Sequence, residues 1–152
     1  MLNKRNNKSW NLKTGVNNLR FLFNDIFTSM EYSEIVLALV KIQVQFRFMH
    51  WQTTSFSQHK AYGEIYESLD GNIDDFVEAC MGKHGRPKFN GGYTIDGEDL
   101  EEIELGEFLT QVEGFLLSFN EVYDETKDSD LLNIRDEMLS DLNKLRYLLT
   151  LN

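Results

Sequence analysis

Cysteine, proline and histidine are scarce in this chain of 152 residues, which contains one cysteine, one proline and three histidines. The single Cys80 excludes an intramolecular disulfide framework and fits a reducing compartment. The sequence has no run of about 18 apolar residues that could cross a membrane and no apolar core of a secretory signal. We therefore predict a cytoplasmic protein with no membrane span. The near absence of proline leaves room for long helices.

Hydrophobic residues make up 41% of the chain, which predicts a packed globule. The net charge of −10 is distributed unevenly. The first acidic residue is Asp25, and every charged residue before it is basic. This pattern indicates a basic arm at residues 1–15, either a solvating terminus or a non-specific DNA contact. The candidate DNA-binding residues are Lys4, Arg5, Lys8 and Lys13.

Apolar residues recur at helical spacing through most of the chain, and no strand-like alternation of useful length occurs. The spacing predicts a short helix at 16–29 and four long helices at 32–51, 57–82, 101–125 and 129–150. A glycine-rich stretch at 82–100 reads as a long loop after the second long helix. The predicted fold is all-α, with residues 16–152 forming a ferritin-like four-helix bundle with one long crossover. Within this domain the short helix precedes the four long helices, and the basic arm precedes the domain.

Two of the histidines, His50 and His59, lie at the predicted junction of the first two long helices. Asp74 and Glu78 follow one turn apart on the second helix. Imidazole and carboxylate together form a ligand set that iron and other first-row transition metals use. Fifteen residues separate His59 from Asp74, about 22 Å along a helix, so one chain cannot bring all four ligands to one ion. A second copy packed antiparallel across a two-fold axis could complete the site.

The run Phe48-Met49-His50-Trp51, then His59, then Asp74-x-x-x-Glu78 and Gly85-Arg86-Pro87, resembles the Dps proteins, the ferritin-like mini-cages of starved cells. The resemblance covers roughly residues 31–152. It implies a twelve-subunit shell built from dimers that oxidises Fe(II), preferably with peroxide, stores the iron and limits oxidative damage. It also implies that His50, His59, Asp74 and Glu78 are the iron ligands at ferroxidase sites between subunits.

The chain departs from the family where an aspartate usually follows the second histidine by one turn, because Gly63 occupies that position. Glu64 is its neighbour but points about 100° away on the helix. Asp70 shares the angle of His59 but lies about 16 Å further along. We therefore place Glu64 and Asp70, together with Trp51, near the metal site rather than in it. The alternative is a ferritin-like structural, virion or interaction protein with a degraded metal centre, whose histidines only hold helix ends.

Overall fold

The computed structural model describes residues 31–151, and these residues form helices and loops without any strand. The helices are α1 (Tyr32–Gln52), α2 (Phe56–His84), α3 (Leu105–Leu117), the short α4 (Phe119–Val122) and α5 (Ser129–Leu148), with a 3₁₀ turn at Leu100–Glu102. The predicted all-α class is confirmed. The basic arm and the helix predicted at 16–29 lie outside the described residues.

None of the helices within residues 31–151 combines the length and the apolarity needed to cross a bilayer.

A three-residue link joins α1 to α2 and turns the chain back on itself. At the start of α1, Glu31 and Glu34 form a capping box, in which each side chain accepts from the other residue's backbone N–H. Thr53 is extended and ends α1. The Ser55 hydroxyl accepts from the backbone N–H of Gln58 at 3.4 Å, which caps the start of α2. The last turn of α1 and the first turn of α2 are therefore held side by side.

The long connection between α2 and α3 runs the length of the helix pair. It leaves α2 at Gly85, whose φ of 79° suits glycine, beside the start of α1, where the rings of Tyr32 and His84 are 6.4 Å apart. It arrives at the other end of α1, where the Gln45 amide donates to and accepts from the backbone of Glu98, both at 2.9 Å. We call these the Tyr32 end and the Gln52 end of the molecule.

Contacts at the two ends of the molecule give the directions of the remaining helices. At the Gln52 end the rings of Phe46 in α1 and Phe108 in α3 are 5.2 Å apart, so α3 starts there and runs back. At the Tyr32 end Lys83 of α2 forms ion pairs with Asp128 and Asp130, just before and within the first turn of α5. Consequently α1 and α5 run one way, and α2 and α3 run the other way.

The third helix differs from its prediction. It begins at Leu105 rather than 101 and stops at Leu117, and the chain resumes as the short α4. The break lies at Ser118, whose hydroxyl donates to the Phe115 carbonyl at 2.6 Å. Arg135 of α5 donates to the Leu116 carbonyl at 2.9 Å. Because these groups satisfy helix-end carbonyls, the helix can end there without leaving buried acceptors unpaired.

Cys80 lies fully buried in the core, with its Sγ 4.0 Å from the hydroxyl of Tyr123. Burial raises the pKa of the Cys80 thiol to about 11. Folding therefore favours the protonated thiol. The contribution of this group to the free energy of unfolding is present below pH 9 and is lost as the pH rises towards 11. The reactive thiolate is accordingly scarce near neutral pH.

We expect iodoacetamide at pH 8 to leave Cys80 of the native chain unmodified, since about one thiol in a thousand is ionised there. The same reagent should alkylate the chain fully in denaturant. Mass spectrometry of matched time points measures both rates. Equal rates for native and denatured protein would contradict the burial of this residue.

Candidate metal site

The two histidines at the helix junction hold each other by reciprocal hydrogen bonds. Nδ1 of His50 lies 2.7 Å from the carbonyl oxygen of His59, and Nδ1 of His59 lies 3.0 Å from the carbonyl oxygen of His50. Their rings stack with centroids 3.8 Å apart. A carbonyl oxygen only accepts, so each Nδ1 donates its hydrogen, and Nε2 is the ring nitrogen left for another partner. This is the tautomer that metal-binding histidines adopt when Nδ1 donates to a backbone carbonyl.

Neighbouring rings fix the orientation of this histidine pair. The edge of the His50 ring meets Tyr66, with centroids 5.4 Å apart. The guanidinium of Arg47 lies 4.8 Å from the centre of the same tyrosine ring, at cation–π distance. Both histidines are half-buried. The rings are therefore held in place while both residues remain partly accessible.

Gly63 lies against the His50 ring and is buried. A Cβ atom at this position would lie 3.2 Å from both Cε1 and Nδ1 of His50. The position where the Dps resemblance expects an aspartate is thus packed against one of the histidines. Any side chain there requires the His50 ring to shift, so this packing depends on the glycine.

Asp74 and Glu78 are exposed on α2, one turn apart, and neither side chain has a hydrogen bond or ion pair with the described part of the chain. Their acidic neighbours differ in this respect. Glu64 pairs with Lys144 of α5 at 3.0 Å, and Asp70 accepts from the Gln43 amide at 2.7 Å. The two carboxylates predicted to be ligands are therefore unpaired within the described residues, whereas the two predicted to lie near the site have partners in the same chain.

Trp51, the third residue expected near the site, projects from the Gln52 end and is 65% exposed. Phe56 lies across the helix link from it and is 76% exposed. Two large apolar side chains therefore stand in solvent beside the histidine pair.

The structure does not bring the four predicted ligands together within one chain. His59 and Asp74 lie on the continuous helix α2, about 22 Å apart along its axis. Within residues 31–151, no group of three or more His, Cys, Asp or Glu side chains could hold a metal ion. Each chain instead presents two half-sites. We call them the nitrogen half-site, which is His50 and His59, and the oxygen half-site, which is Asp74 and Glu78.

Two structurally important groups have no signature in the sequence. Arg135 is buried and donates to the Leu116 carbonyl, to Asn120 and to Asp136. Gln45 binds the backbone of the crossover, as described above. An isolated arginine or glutamine on a helix gives no spacing pattern, so these contacts become visible only in three dimensions.

The described residues therefore define an all-helical protein with one long connection between its second and third helices. The sequence matches the family of unknown function DUF5856 over residues 50–149, and the chain belongs to that family. The matched segment includes His50, His59, Asp74 and Glu78.

The chain is also similar to the uncharacterized 14.6 kDa protein in the mobD-ri intergenic region of Enterobacteria phage T4. The two are 28% identical over 113 residues, which is 74% of this chain and 83% of the phage protein. No solved structure matches the chain.

Proposed function

We propose that this protein is a Dps-like mini-ferritin that binds and oxidises Fe(II) at sites shared between two copies of the chain. The observation that carries the proposal is the reciprocal bonding of His50 and His59, which leaves both Nε2 atoms free to bind a metal. If the two histidines served only to hold the helix ends, the presence of unpaired carboxylates elsewhere on α2 would have no connection with them. Asp74 and Glu78 are such carboxylates.

The helix arrangement supports a ferritin-like bundle. Ferritin-like folds are four-helix bundles with one long crossover connection. Here the segment after Gly85 runs from the Tyr32 end to the Gln52 end, and α3 therefore runs parallel to α2. The short α4 is a local interruption between α3 and α5 and does not change this order.

The donor set fits iron, which is the substrate of the proposed reaction. Two imidazole nitrogens with two carboxylates are ligands that first-row divalent metals accept. In a two-fold pair, His50 and His59 of one copy would bind the ion, and Asp74 and Glu78 of the other copy would offset its charge. The net charge of −10 favours the approach of cations. Each Fe(II) loses one electron, so one peroxide, which accepts two electrons and two protons to give water, serves two ions.

We expect the purified chain to oxidise Fe(II) with peroxide faster than buffer does, and Asp74→Ala with Glu78→Ala to reduce the rate to that of buffer. Ferric absorbance follows the rate, and light scattering on the same sample gives the mass. Glu121→Ala with Glu137→Ala is the matched control, because these exposed carboxylates carry the same charge change and belong to neither predicted half-site. Unchanged oxidation in the Asp74 and Glu78 variant would refute the assignment.

The second candidate is a ferritin-like interaction protein whose metal centre has degraded. The contact between Gly63 and the His50 ring favours it, because that contact fills the place of a fifth ligand. On this alternative the two histidines only fasten α1 to α2. A parent protein that binds no Fe(II) under anaerobic equilibrium dialysis would select this alternative over the mini-ferritin.

A further inference from the structure

We infer that the outward face of α1 is a docking surface for residues 16–29 of the same chain. On a helical wheel Leu37, Val40, Val44 and Phe48 lie within an arc of about 80°, opposite the residues of α1 that are buried in the core. We call these four residues the outer stripe. The outward face of a bundle helix is normally polar, so an apolar stripe there indicates a surface that another segment covers. None of the four is a proposed metal ligand, and the docking surface is independent of the proposed function.

The outer stripe lies outside the core of the described chain. Within residues 31–151 none of its four side chains belongs to the hydrophobic core or to the partly buried residues that pack against the core. Each of them is half-buried. On one side of the stripe the Gln43 amide donates to Asp70 of α2 at 2.7 Å, and on the other side Gln45 holds the crossover. Gly97 of the crossover packs against the Phe48 ring. The outer stripe therefore lies between α2 and the crossover.

Residues 16–29 have the complementary sequence pattern. They are predicted above to form a short helix, and on a helical wheel their apolar side chains, with the exception of Phe21, fall within an arc of about 140°. The opposite side of that wheel carries Asn17, Asn24 and Thr28. A helix with one apolar face is stable in a globular protein when that face is buried against another element. The apolar residues that would meet the outer stripe are Val16, Leu19, Leu22, Phe23, Ile26 and Phe27.

The position of the segment in the chain favours this occupant over a separate protein. Only Met30 and Glu31 separate residues 16–29 from the first residue of α1. Two antiparallel helices are commonly joined by links of about 2–5 residues, so a link of this length allows the segment to fold back along α1. A helix of 14 residues is about 21 Å long, and Val44 lies about 18 Å from the start of α1. The segment can therefore cover most of the outer stripe.

The charge distribution supports the same arrangement. A segment that folds back over α1 brings the basic arm, residues 1–15, towards the Gln52 end. The crossover arrives at that end with six acidic residues and no basic residue between positions 96 and 104. None of the six forms an ion pair with another residue of the described range 31–151. Attraction between these acids and the lysines and arginine of the arm therefore favours the folded-back position.

Hydrogen exchange of the full chain, followed by mass spectrometry, tests the docking. We expect the backbone amides of residues 16–29 to exchange at least about tenfold more slowly than in a synthetic peptide of the same residues. Val40→Asp with Val44→Asp should remove this protection, because carboxylates are costly to bury beneath an apolar helix. Leu117→Asp with Val122→Asp is the matched control, since these exposed apolar residues lie on α3 and α4 and receive the same charges. Circular dichroism shows whether both variants stay folded.

A cysteine pair distinguishes this occupant from a second copy of the chain. In the folded-back position residue 23 and residue 37 lie about seven residues on either side of the link, so Phe23→Cys with Leu37→Cys should form a disulfide within one chain under mild oxidation. The buried Cys80 does not compete. Phe23→Cys with Asn133→Cys is the control, because Asn133 is exposed on α5 at a similar distance from the Tyr32 end. Electrophoresis without reductant separates a bond within one chain from a bond between two chains.

Four results would overturn the docking of residues 16–29 on α1. The first is exchange of this segment at the rate of the free peptide, and the second is equal protection in the parent and in the variant of Val40 and Val44. The third is a disulfide that joins only two chains, which would assign the outer stripe to a second copy. The fourth is equally fast disulfide formation by the control pair, which would place the segment elsewhere.

Discussion

Replacing both His50 and His59 with asparagine should leave the protein folded and abolish the proposed metal binding. An asparagine amide can occupy the place of Nδ1 and still donate to the carbonyl that each histidine now contacts. It has no counterpart of Nε2. Loss of a hydrogen-bond partner behind a metal ligand costs about 10- to 100-fold in affinity, and loss of two ligands should exceed that. Equilibrium dialysis with Zn(II) and thermal unfolding measure the two effects on one preparation.

His84→Asn is the control for this substitution, because His84 is exposed at the Tyr32 end and belongs to neither half-site. Double alanine at 50 and 59 gives the complementary result, since it removes the donors as well as the ligands and should lower stability. Metal binding that survives the double asparagine change would refute the assignment of His50 and His59 as ligands.

Replacing Arg135 with alanine should destabilise the chain by about 2–4 kcal/mol, the largest effect on stability that we expect from one polar side chain. Its guanidinium donates to the Leu116 carbonyl and to Asn120, each at 2.9 Å, and to Asp136 at 2.7 Å. Alanine leaves the buried Leu116 carbonyl without this donor and removes the packing of the arginine stem. Urea unfolding followed by circular dichroism at 222 nm measures the change.

Arg146→Ala provides the comparison on the same helix. Arg146 pairs with Glu113 at 3.0 Å, and about a third of each side chain remains exposed. That hydrogen bond lowers the pKa of Glu113, yet exposed ion pairs of this kind contribute about 0–1 kcal/mol. Equal losses for the two arginine variants would show that the position of Arg135 at the helix break has no special importance.

The sequence predicted α1, α2 and α5 closely because each has an apolar stripe at helical spacing and a recognisable boundary. Ser55 shows how a boundary can be read, since it follows the polar stretch after Trp51 and caps α2. The break at Ser118 could not be predicted in the same way. The apolar spacing continues across it, and the group that accommodates the break, Arg135, comes 17 residues later on another helix.

The candidate site was predictable in its parts but not in its chemistry. Helical spacing alone predicts that His59 lies far from Asp74 and that Glu64 points away from the histidines. In the structure Glu64 pairs with Lys144. The reciprocal Nδ1 bonds depend on how two helix ends meet across the Thr53–Ser55 link, which no spacing rule supplies. Equally, the sequence shows that Gly63 replaces an expected aspartate, but only the structure shows the His50 ring packed against it.

Two glutamines of α1 bind the crossover at the Gln52 end through its backbone. Gln45 binds both backbone groups of Glu98, and Gln52 accepts from the backbone N–H of Leu100 at 2.6 Å. Backbone groups are the same for every residue except proline, which lacks the N–H. Most residues of the segment 86–96 can therefore change while its attachment to α1 stays fixed, whereas Gly97 cannot, because a Cβ atom there would lie 2.2 Å from the Phe48 ring. Relatives of this protein should accordingly differ most in this segment and least in the two glutamines that hold its end.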